Sequence, residues 1–266
     1  MYMPNLYFNK NYPLLTDQEV IGSKQKFYST DDSKTFKYNC KKFQGKEWQW
    51  RDANISYSFN SHGYRTKEFG DVNKDFVLGF GCSYTEGVGL PKEDIWLHQY
   101  CEKLGIDYVN LGKASTGMDI QYYNTLLWRN SKLPLPKLVV CQWPQKFRKS
   151  FGFQERDSIR LADMSETPTK DGQWWGKRYI MDEGEMNINT LGWFLAMNNT
   201  WKSLGVPVLN FSWEHDITED LKFTEYDIHF VDPAGVGSMQ ARDCMHDGPE
   251  FHKLTSDQLL SIPHKI

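Results

Sequence analysis

The chain has 266 residues, a hydrophobic fraction of 39%, an aromatic fraction of 15% and a formal net charge of −3. This hydrophobic content excludes a mainly disordered chain, and the charge provides no basic surface of the kind that nucleic-acid-binding proteins present. The five cysteines form no CxxC pair, so we expect reduced thiols, as in the cytoplasm, and no metal ion or other cofactor. No segment has the pattern of a signal peptide or a membrane span, so we expect a soluble protein.

The N-terminal part of the chain is polar and aromatic and shows no helical periodicity. One stretch, residues 55–60, alternates apolar and polar side chains as a half-buried strand does. We predict that residues 1–73 form an N-terminal extension with one or two strands, wrapped on a main domain of residues 74–266.

From Asp75 onwards, short apolar runs alternate with helical patterns. The predicted strands are residues 76–80, 108–111, 138–143, 206–211 and 226–231, and the predicted helices are residues 91–104, 118–128, 190–204 and 247–260. The polar segment 145–188 has no firm periodicity, which is typical of an insertion or lid. Strands separated by helices indicate βαβ units, and hence an α/β fold with a mostly parallel sheet between two layers of helices.

The most informative stretch is the one that follows the first predicted strand. There an apolar run leads into Gly-Cys-Ser and a turn that ends at Gly87. In open α/β sheets, ligands bind at the carboxyl ends of strands, and glycine lets the backbone turn sharply. Ser83 is therefore the predicted nucleophile. Cys82 is the alternative, but strand alternation would direct its side chain away from that of Ser83.

A serine hydroxyl reacts poorly without a base and a carboxylate that orients the base. Asp243 and His246 offer both groups in a short loop before the last predicted helix. The carboxylate would fix the imidazole tautomer and leave the other ring nitrogen free to take the proton of Ser83. Of the other histidines, His98 and His252 are predicted to lie on helix surfaces, and His215 is a candidate to line the cleft.

Together, these motifs resemble the SGNH, or GDSL-type, hydrolase family over about residues 60–260. Residues 60–65 are similar to a lead-in segment of one branch, 81–87 to the first block, 109–112 to the second and 243–246 to the fifth, while 138–145 occupy the place of the third. The resemblance implies a flavodoxin-like three-layer α/β/α fold. It also implies ester hydrolysis through an acyl-enzyme on Ser83, with His246 and Asp243 completing the triad.

The same resemblance suggests which groups hold the oxyanion. It implies the backbone N–H groups of Ser83 and Gly112, and the amide of Gln145 where the family has an asparagine. Two positions depart from the family pattern, because Cys82 replaces an aspartate and Trp143-Pro144-Gln145 replaces Gly-x-Asn. Since loss of one oxyanion donor costs about 10²–10³ in turnover, the departures predict weak activity if Gln145 does not reach the site.

We predict a serine esterase that acts on small acyl groups, in particular acetyl, with a small ester or an acylated glycan as its substrate. The alternative is a weak or inactive structural or binding protein with the same fold, such as a component of a phage particle, because the serine turn is similar to those of viral family members. Ser83, Asp243 and His246 favour the enzyme, and the altered blocks favour the alternative. No nucleic-acid or membrane partner is expected, and both a homo-oligomer and assembly in a virion remain open.

Overall fold

The N-terminal region contains short strands and one helix in the computed structural model, which describes residues 6–8, 14–155, 158–163, 182–233 and 240–263. Its elements are β1 (Leu6–Phe8), β2 (Thr16–Asp17), β3 (Lys24–Gln25), α1 (Ser33–Lys42) and β4 (Tyr57–Ser58). The sequence analysis predicted strands in this region but not the helix α1. The missed signal is Asp32, whose side chain accepts a hydrogen bond from the Thr35 N–H and so caps the first turn of α1.

Strands and helices alternate along the rest of the chain. The elements are β5 (Phe76–Phe80), α2 (Ser83–Glu86), α3 (Trp96–Leu104), β6 (Asp107–Asn110), α4 (Met118–Asn130), β7 (Leu138–Gln142), β8 (Ser150–Glu155), β9 (Ser158–Asp163), α5 (Glu183–Ser203), β10 (Val208–Ser212), α6 (His215–Leu221), β11 (Ile228–Phe230) and α7 (Pro249–Ser261). Each of the five strands predicted in the main domain has a counterpart at the expected place. None of the described helices combines the length and apolar character needed to cross a bilayer.

Helix α4 begins at Met118 as predicted, whereas other helices differ from the predictions at their starts. The helix predicted from residue 91 begins at Trp96, because Ile95 before it is extended, with φ −75° and ψ 135°. Helix α5 begins seven positions earlier than predicted, where Asp182 caps it by accepting the Glu185 N–H. Helix α6 was not predicted, since its seven residues are too few to show a period.

The five strands of the main domain form one parallel sheet with the spatial order β11-β10-β7-β5-β6. Numbered by their order along the chain, these strands run 2-1-3-4-5, which is the flavodoxin-like arrangement. The predicted α/β fold is thus confirmed. Since β6 lies on one side of β5 and β7 on the other, a crevice opens at the carboxyl ends of β5 and β7.

Both faces of this sheet are covered. Phe76 and Leu78 of β5 belong to a hydrophobic cluster that includes residues of α4 and α5, whereas Val77 belongs to a second cluster that includes residues of α3 and α7. Successive residues of a strand point to opposite faces, so a strand buried on both sides is apolar throughout. This accounts for the uninterrupted apolar runs in the sequence and gives the three layers.

A second sheet joins the N-terminal region to the polar insertion. Its four strands follow the order β2-β1-β9-β8, and β1 pairs antiparallel with β9, with Leu6 opposite Leu161. The described residues of the insertion include the antiparallel pair β8 and β9, which the sequence analysis did not predict, and the start of α5. Trp174 and Trp175 lie outside the described residues. The domain boundary near residue 73 stays a prediction.

Candidate active site

Ser83 is the first residue of α2 and follows the end of β5 after two residues. A side chain at Gly81 would place its Cβ 2.0 Å from the hydroxyl oxygen of Thr85, so only glycine fits this close approach. The backbone N–H of Cys82 donates to Oε1 of Gln142, at the end of β7, over 3.0 Å. The serine turn, residues 81–87, is thus held by the neighbouring strand. At the position of Cys82, the family that the chain resembles has an aspartate.

The structure brings Ser83, His246 and Asp243 together in one chain of hydrogen bonds. Nε2 of His246 lies 2.8 Å from Oγ of Ser83, and Nδ1 of the same ring lies 2.6 Å from Oδ2 of Asp243. A carboxylate accepts only, so Nδ1 carries a proton and Nε2 is the acceptor for the serine hydroxyl. The geometry is that of a nucleophile, a general base and an orienting carboxylate.

The acid–base loop, residues 243–246, is tightly folded around its own carboxylate. Oδ1 of Asp243 accepts the backbone N–H groups of Met245 and His246 over 3.1 and 3.2 Å. Between Asp243 and Met245, Cys244 has a φ of 56°, in the left-handed region that non-glycine residues rarely adopt. Such strained backbone persists only where surrounding contacts fix it. The loop therefore places carboxylate and imidazole side by side.

Asp243 is ionised more readily than an ordinary aspartate. Burial by itself raises the pKa of its carboxyl group, but the hydrogen bond and charge of His246, the hydroxyl of Thr30 and the Met245 N–H outweigh burial, and the net pKa is lowered. The hydroxyl of Thr30 donates to Oδ2 over 2.6 Å. The carboxylate that faces the imidazole is thus kept in its charged form.

Tyr84 packs against the base. Its ring centre lies 5.0 Å from that of His246 in an edge-to-face arrangement, and its hydroxyl donates to Oδ2 of Asp247 over 3.3 Å. Trp213 and Phe251 flank the tyrosine ring at 5.0 and 5.6 Å. Burial raises the pKa of the Tyr84 hydroxyl, so it stays protonated. The Tyr84 ring, packed in this way, limits the orientations open to the imidazole.

The three predicted oxyanion donors are placed differently. Ser83 opens α2, and the first N–H groups of a helix have no acceptor within it. The Gly112 N–H, by contrast, donates to Oδ1 of Asn110 over 2.8 Å, and the Gln145 amide donates to Oε1 of Glu214 over 2.6 Å. The Gly112 N–H thus already has an acceptor, and one of the two N–H groups of the Gln145 amide is used. The oxyanion roles of Ser83, Gly112 and Gln145 stay predictions.

The N-terminal region reaches the acid–base loop at several points that the sequence analysis missed. Besides the contact of Thr30 with the triad carboxylate, the buried Asp31 pairs with Arg242 through both carboxylate oxygens. Nδ2 of Asn39 donates to the backbone oxygen of Arg242, and the Trp50 indole donates to that of Gln240. Residues that precede the main domain therefore fix the residues next to the base.

Two buried cationic side chains, Lys113 and Arg65, contact α2 and the residue that follows it. The ammonium of Lys113 contacts carboxylates of Glu86 and Asp17, over 3.1 and 2.8 Å, and all three side chains are buried. Burial alone would lower the pKa of Lys113, but the two carboxylates raise it, so the lysine stays charged. The guanidinium of Arg65 donates to the backbone oxygen of Gly87 over 2.5 Å, at the carboxyl end of the helix.

The remaining histidines are not part of this arrangement. His252, predicted to lie on a helix surface, is only 1% exposed, which corrects that prediction. Its Nδ1 accepts the backbone N–H of Trp96 and so caps α3, and burial lowers the pKa of the ring to about 3. His215 is an exposed first residue of α6, and His98 pairs with the hydroxyl of Tyr108. Within the described ranges, no group of His, Cys, Asp or Glu side chains is arranged to hold a metal ion.

No protein-family model matches the chain, and no curated protein matches it. Among solved structures, the chain is similar to an acetyl xylan esterase from the rumen bacterium Butyrivibrio proteoclasticus, with 10% identity over 71% of this chain and 63% of that one and a TM-score of 0.44. It is also similar to a lipolytic protein of the G-D-S-L family from Desulfitobacterium hafniense, with 16% identity over 70% and 97% of the two chains and a TM-score of 0.43. An SGNH hydrolase from Slackia heliotrinireducens has 12% identity over 71% and 97%, with a TM-score of 0.39.

The chain thus spans 63% of the length of the acetyl xylan esterase. Likeness at these identities and TM-scores does not define the reaction of the present chain. The assignment of its fold rests on the strand order, and the assignment of its chemistry rests on the geometry around Ser83.

Proposed function

We propose that the chain is a serine ester hydrolase that removes small acyl groups, in particular acetyl, from an ester such as an acylated glycan. One observation carries the proposal, which is the continuous hydrogen-bonded path from Ser83 Oγ through His246 to Asp243, with distances of 2.8 and 2.6 Å. Neither a core-packing role nor a surface role requires an imidazole to join a serine hydroxyl to a buried carboxylate.

The reaction follows from this geometry in two steps. Oγ of Ser83 attacks the ester carbonyl carbon while Nε2 of His246 takes its proton, and the resulting oxyanion lies near the Ser83 N–H. The intermediate collapses, the alcohol leaves with the proton from Nε2, and an acyl-enzyme remains. Water then attacks the acyl carbon, again with His246 as the base, and the acid is released. Asp243 keeps the imidazole oriented and stabilises its charged form.

A fluorophosphonate probe tests the proposal directly, because it reacts only with an activated serine. We expect labelling of the parent protein and none of Ser83→Ala or His246→Ala. Hydrolysis of 4-nitrophenyl acetate should fall by about 10⁴ or more in both variants. Ser261→Ala, at an exposed position at the end of α7, is the matched control and should behave as the parent does. Equal hydrolysis by His246→Ala and the parent would remove the histidine from the mechanism.

A second candidate is a binding protein with little or no hydrolytic activity. It is favoured by the Gly112 N–H, which already has an acceptor, and by the Gln145 amide, one of whose two N–H groups donates to Glu214. If the parent is folded by circular dichroism but takes up no fluorophosphonate, this second function replaces the first.

A further inference from the structure

A cavity of about 450 Å³ lies among residues of β3, β4 and the segment that follows α2, and neither Ser83 nor His246 lines it. Its volume is that of a small-molecule site, for which about 300–1,000 Å³ is usual. One of the lining residues, Glu93, is acidic, whereas four are cationic, namely Lys24, Arg65, Lys67 and Lys92. The cavity therefore differs in charge from the protein as a whole, whose formal net charge is −3.

One wall of the cavity is the polar side of the alternating stretch at residues 55–60. The apolar residues of this stretch are buried in a hydrophobic cluster, whereas Asn54, Ser56 and Ser58, at alternate positions, line the cavity. Lys24 stands opposite Ser58 in the pairing of β3 with β4, so the two side chains lie on the same side. This wall offers two hydroxyls, an amide and an ammonium group.

The other wall contains the guanidinium of Arg65, which is only 3% exposed. It donates to the backbone oxygens of Gly87 and Leu90 over 2.5 and 2.8 Å. These acceptors are neutral, and the carboxylate of Glu86 nearby is already bound by the ammonium of Lys113. The charge of the guanidinium is therefore held in place by the backbone but is not balanced by an ion pair of its own.

The cations of the cavity outnumber the carboxylates. Lys24, Arg65 and Lys92 take part in none of the ion pairs of the described residues. The fourth cation, Lys67, pairs with Asp107. The single carboxylate of the lining can balance one of the other three, so two positive charges remain without a partner.

The pKa of Lys92 reflects the same surroundings. Partial burial lowers it first, and the positive charges of Lys67 and Arg65 lower it further, although the carboxylates of Glu93 and Asp107 act in the opposite direction. An anion in the cavity would relieve the repulsion among these cations.

We propose that this cavity binds a phosphate group, with its oxygens at the ammonium groups of Lys24 and Lys92 and the hydroxyls of Ser56 and Ser58 as further donors. At neutral pH a phosphate monoester carries a charge of about −1.5 to −2, which matches the two unbalanced cations, whereas a carboxylate carries a single charge. Hydrogen bonds from an ammonium group to phosphate are about twice as strong as those between neutral groups. The cavity is separate from the candidate active site, so the inference goes beyond the proposed function.

The test is calorimetric titration of the parent protein at neutral pH in a buffer without phosphate. The probes are inorganic phosphate, glucose 6-phosphate, glucose and acetate. We expect at least one of the two phosphates to bind, more weakly as salt is raised, and glucose and acetate to bind less tightly. Tighter binding of glucose 6-phosphate would identify a phosphorylated organic molecule as the ligand, and tighter binding of inorganic phosphate would identify the free ion.

Two double variants with the same change in charge locate the site. Lys24→Gln with Lys92→Gln should weaken phosphate binding by about fivefold to twentyfold, as expected for two exposed ion contacts. Lys37→Gln with Lys41→Gln, at exposed positions of α1 outside the cavity lining, should leave it unchanged. Ser83→Ala should bind phosphate as the parent does.

Three results would overturn the inference. They are the absence of binding of either phosphate, binding of acetate as tight as that of phosphate, and equal losses in the two lysine pairs. Failure of the proposed function gives a different result, because a parent that binds phosphate but takes up no fluorophosphonate keeps this site and loses the esterase. A parent that is labelled but binds neither phosphate keeps the esterase and loses this site.

Discussion

The two halves of the candidate site are held by different sets of contacts. The start of the serine turn is fixed by the central sheet, where the side chain of Gln142 on β7 accepts the Cys82 N–H, and its last residue is contacted by Arg65 from the N-terminal region. The acid–base loop has no such strand beside its carboxylate. Its Asp243 is bound by Thr30, and its neighbour Arg242 by Asp31, both from the N-terminal region.

This difference shows that a nucleophile and its base need not depend on the same layer of the fold. A parallel sheet by itself positions whatever follows its strands, because its hydrogen-bond register is fixed on both sides. A loop between the last strand and the last helix has no register, so its conformation must come from side-chain contacts. In this chain many of those contacts come from α1 and the turn before it, and the backbone bond from the Arg242 N–H to the Gly89 oxygen adds to them. Substitutions in either half of the site test this difference.

The largest expected effect is on the acid–base half, from Arg242→Met. The substitution keeps an apolar side chain over Phe27 and Phe36, which the guanidinium now covers, but leaves the buried carboxylate of Asp31 without its cation. Breaking a buried ion pair by removing one partner costs about 3–5 kcal/mol. We expect the free energy of unfolding in urea to fall by this amount and fluorophosphonate labelling to slow.

A double variant serves as the control for this change. Asp31→Leu combined with Arg242→Met removes both charges and should recover most of the lost stability, because no buried charge remains unpaired. If the single variant were as stable as the parent, the N-terminal region would not be what holds the acid–base loop.

A smaller effect is expected from Thr30→Val, which removes the hydroxyl that donates to Oδ2 of Asp243. A hydrogen bond to a charged group contributes about 1.5–3 kcal/mol. At neutral pH we expect a loss of stability in this range and a slower reaction with 4-nitrophenyl acetate, by about tenfold. Thr30→Ser keeps a hydroxyl at the same place and should restore both.

The pH dependence separates this role from simple packing. The pKa of Asp243 is lowered in the folded protein, so the stability gained from its ionised form is present above its unfolded pKa, about 3.9, and is lost as the pH falls through the folded pKa. Thr30→Val should raise the pKa of Asp243 in the folded protein towards the ordinary value of an aspartate. The difference in unfolding free energy between parent and variant should therefore shrink below about pH 4, and a difference that is constant with pH would assign Thr30 to packing alone.

The smallest effect is expected on the serine half, from Gln142→Leu. The variant leaves the buried N–H of Cys82 without its acceptor, which costs about 1–3 kcal/mol. We expect lower stability and slower fluorophosphonate labelling, while the parallel pairing of β5 with β7 preserves the fold. Labelling at the parent rate would show that Gly81 and the backbone alone hold the serine turn.

Much of the fold is visible in the sequence because its causes are local or periodic. The strand β5 is apolar throughout since both of its faces are covered, and the same holds for β7. The position of Ser83 follows from the rule that chemistry gathers at the carboxyl ends of such strands. The short spacing of Asp243 and His246 identifies them as a pair. By contrast, α1 was missed because its lysine-rich exposed side gives no apolar period.

The contacts that complete the site lie beyond any local pattern. Thr30 and Asp243 are 213 positions apart, and Cys82 and Gln142 are 60 apart. A hydroxyl, an amide or a lysine has the same local signature whether it faces water or a catalytic group. The sequence by itself determined the parallel sheet, the serine at its edge and the aspartate–histidine pair. Only the tertiary structure decided which distant side chains hold that pair in place and which donors near Ser83 already have acceptors, because hydrogen bonds depend on distances in space that spacing along the chain does not contain.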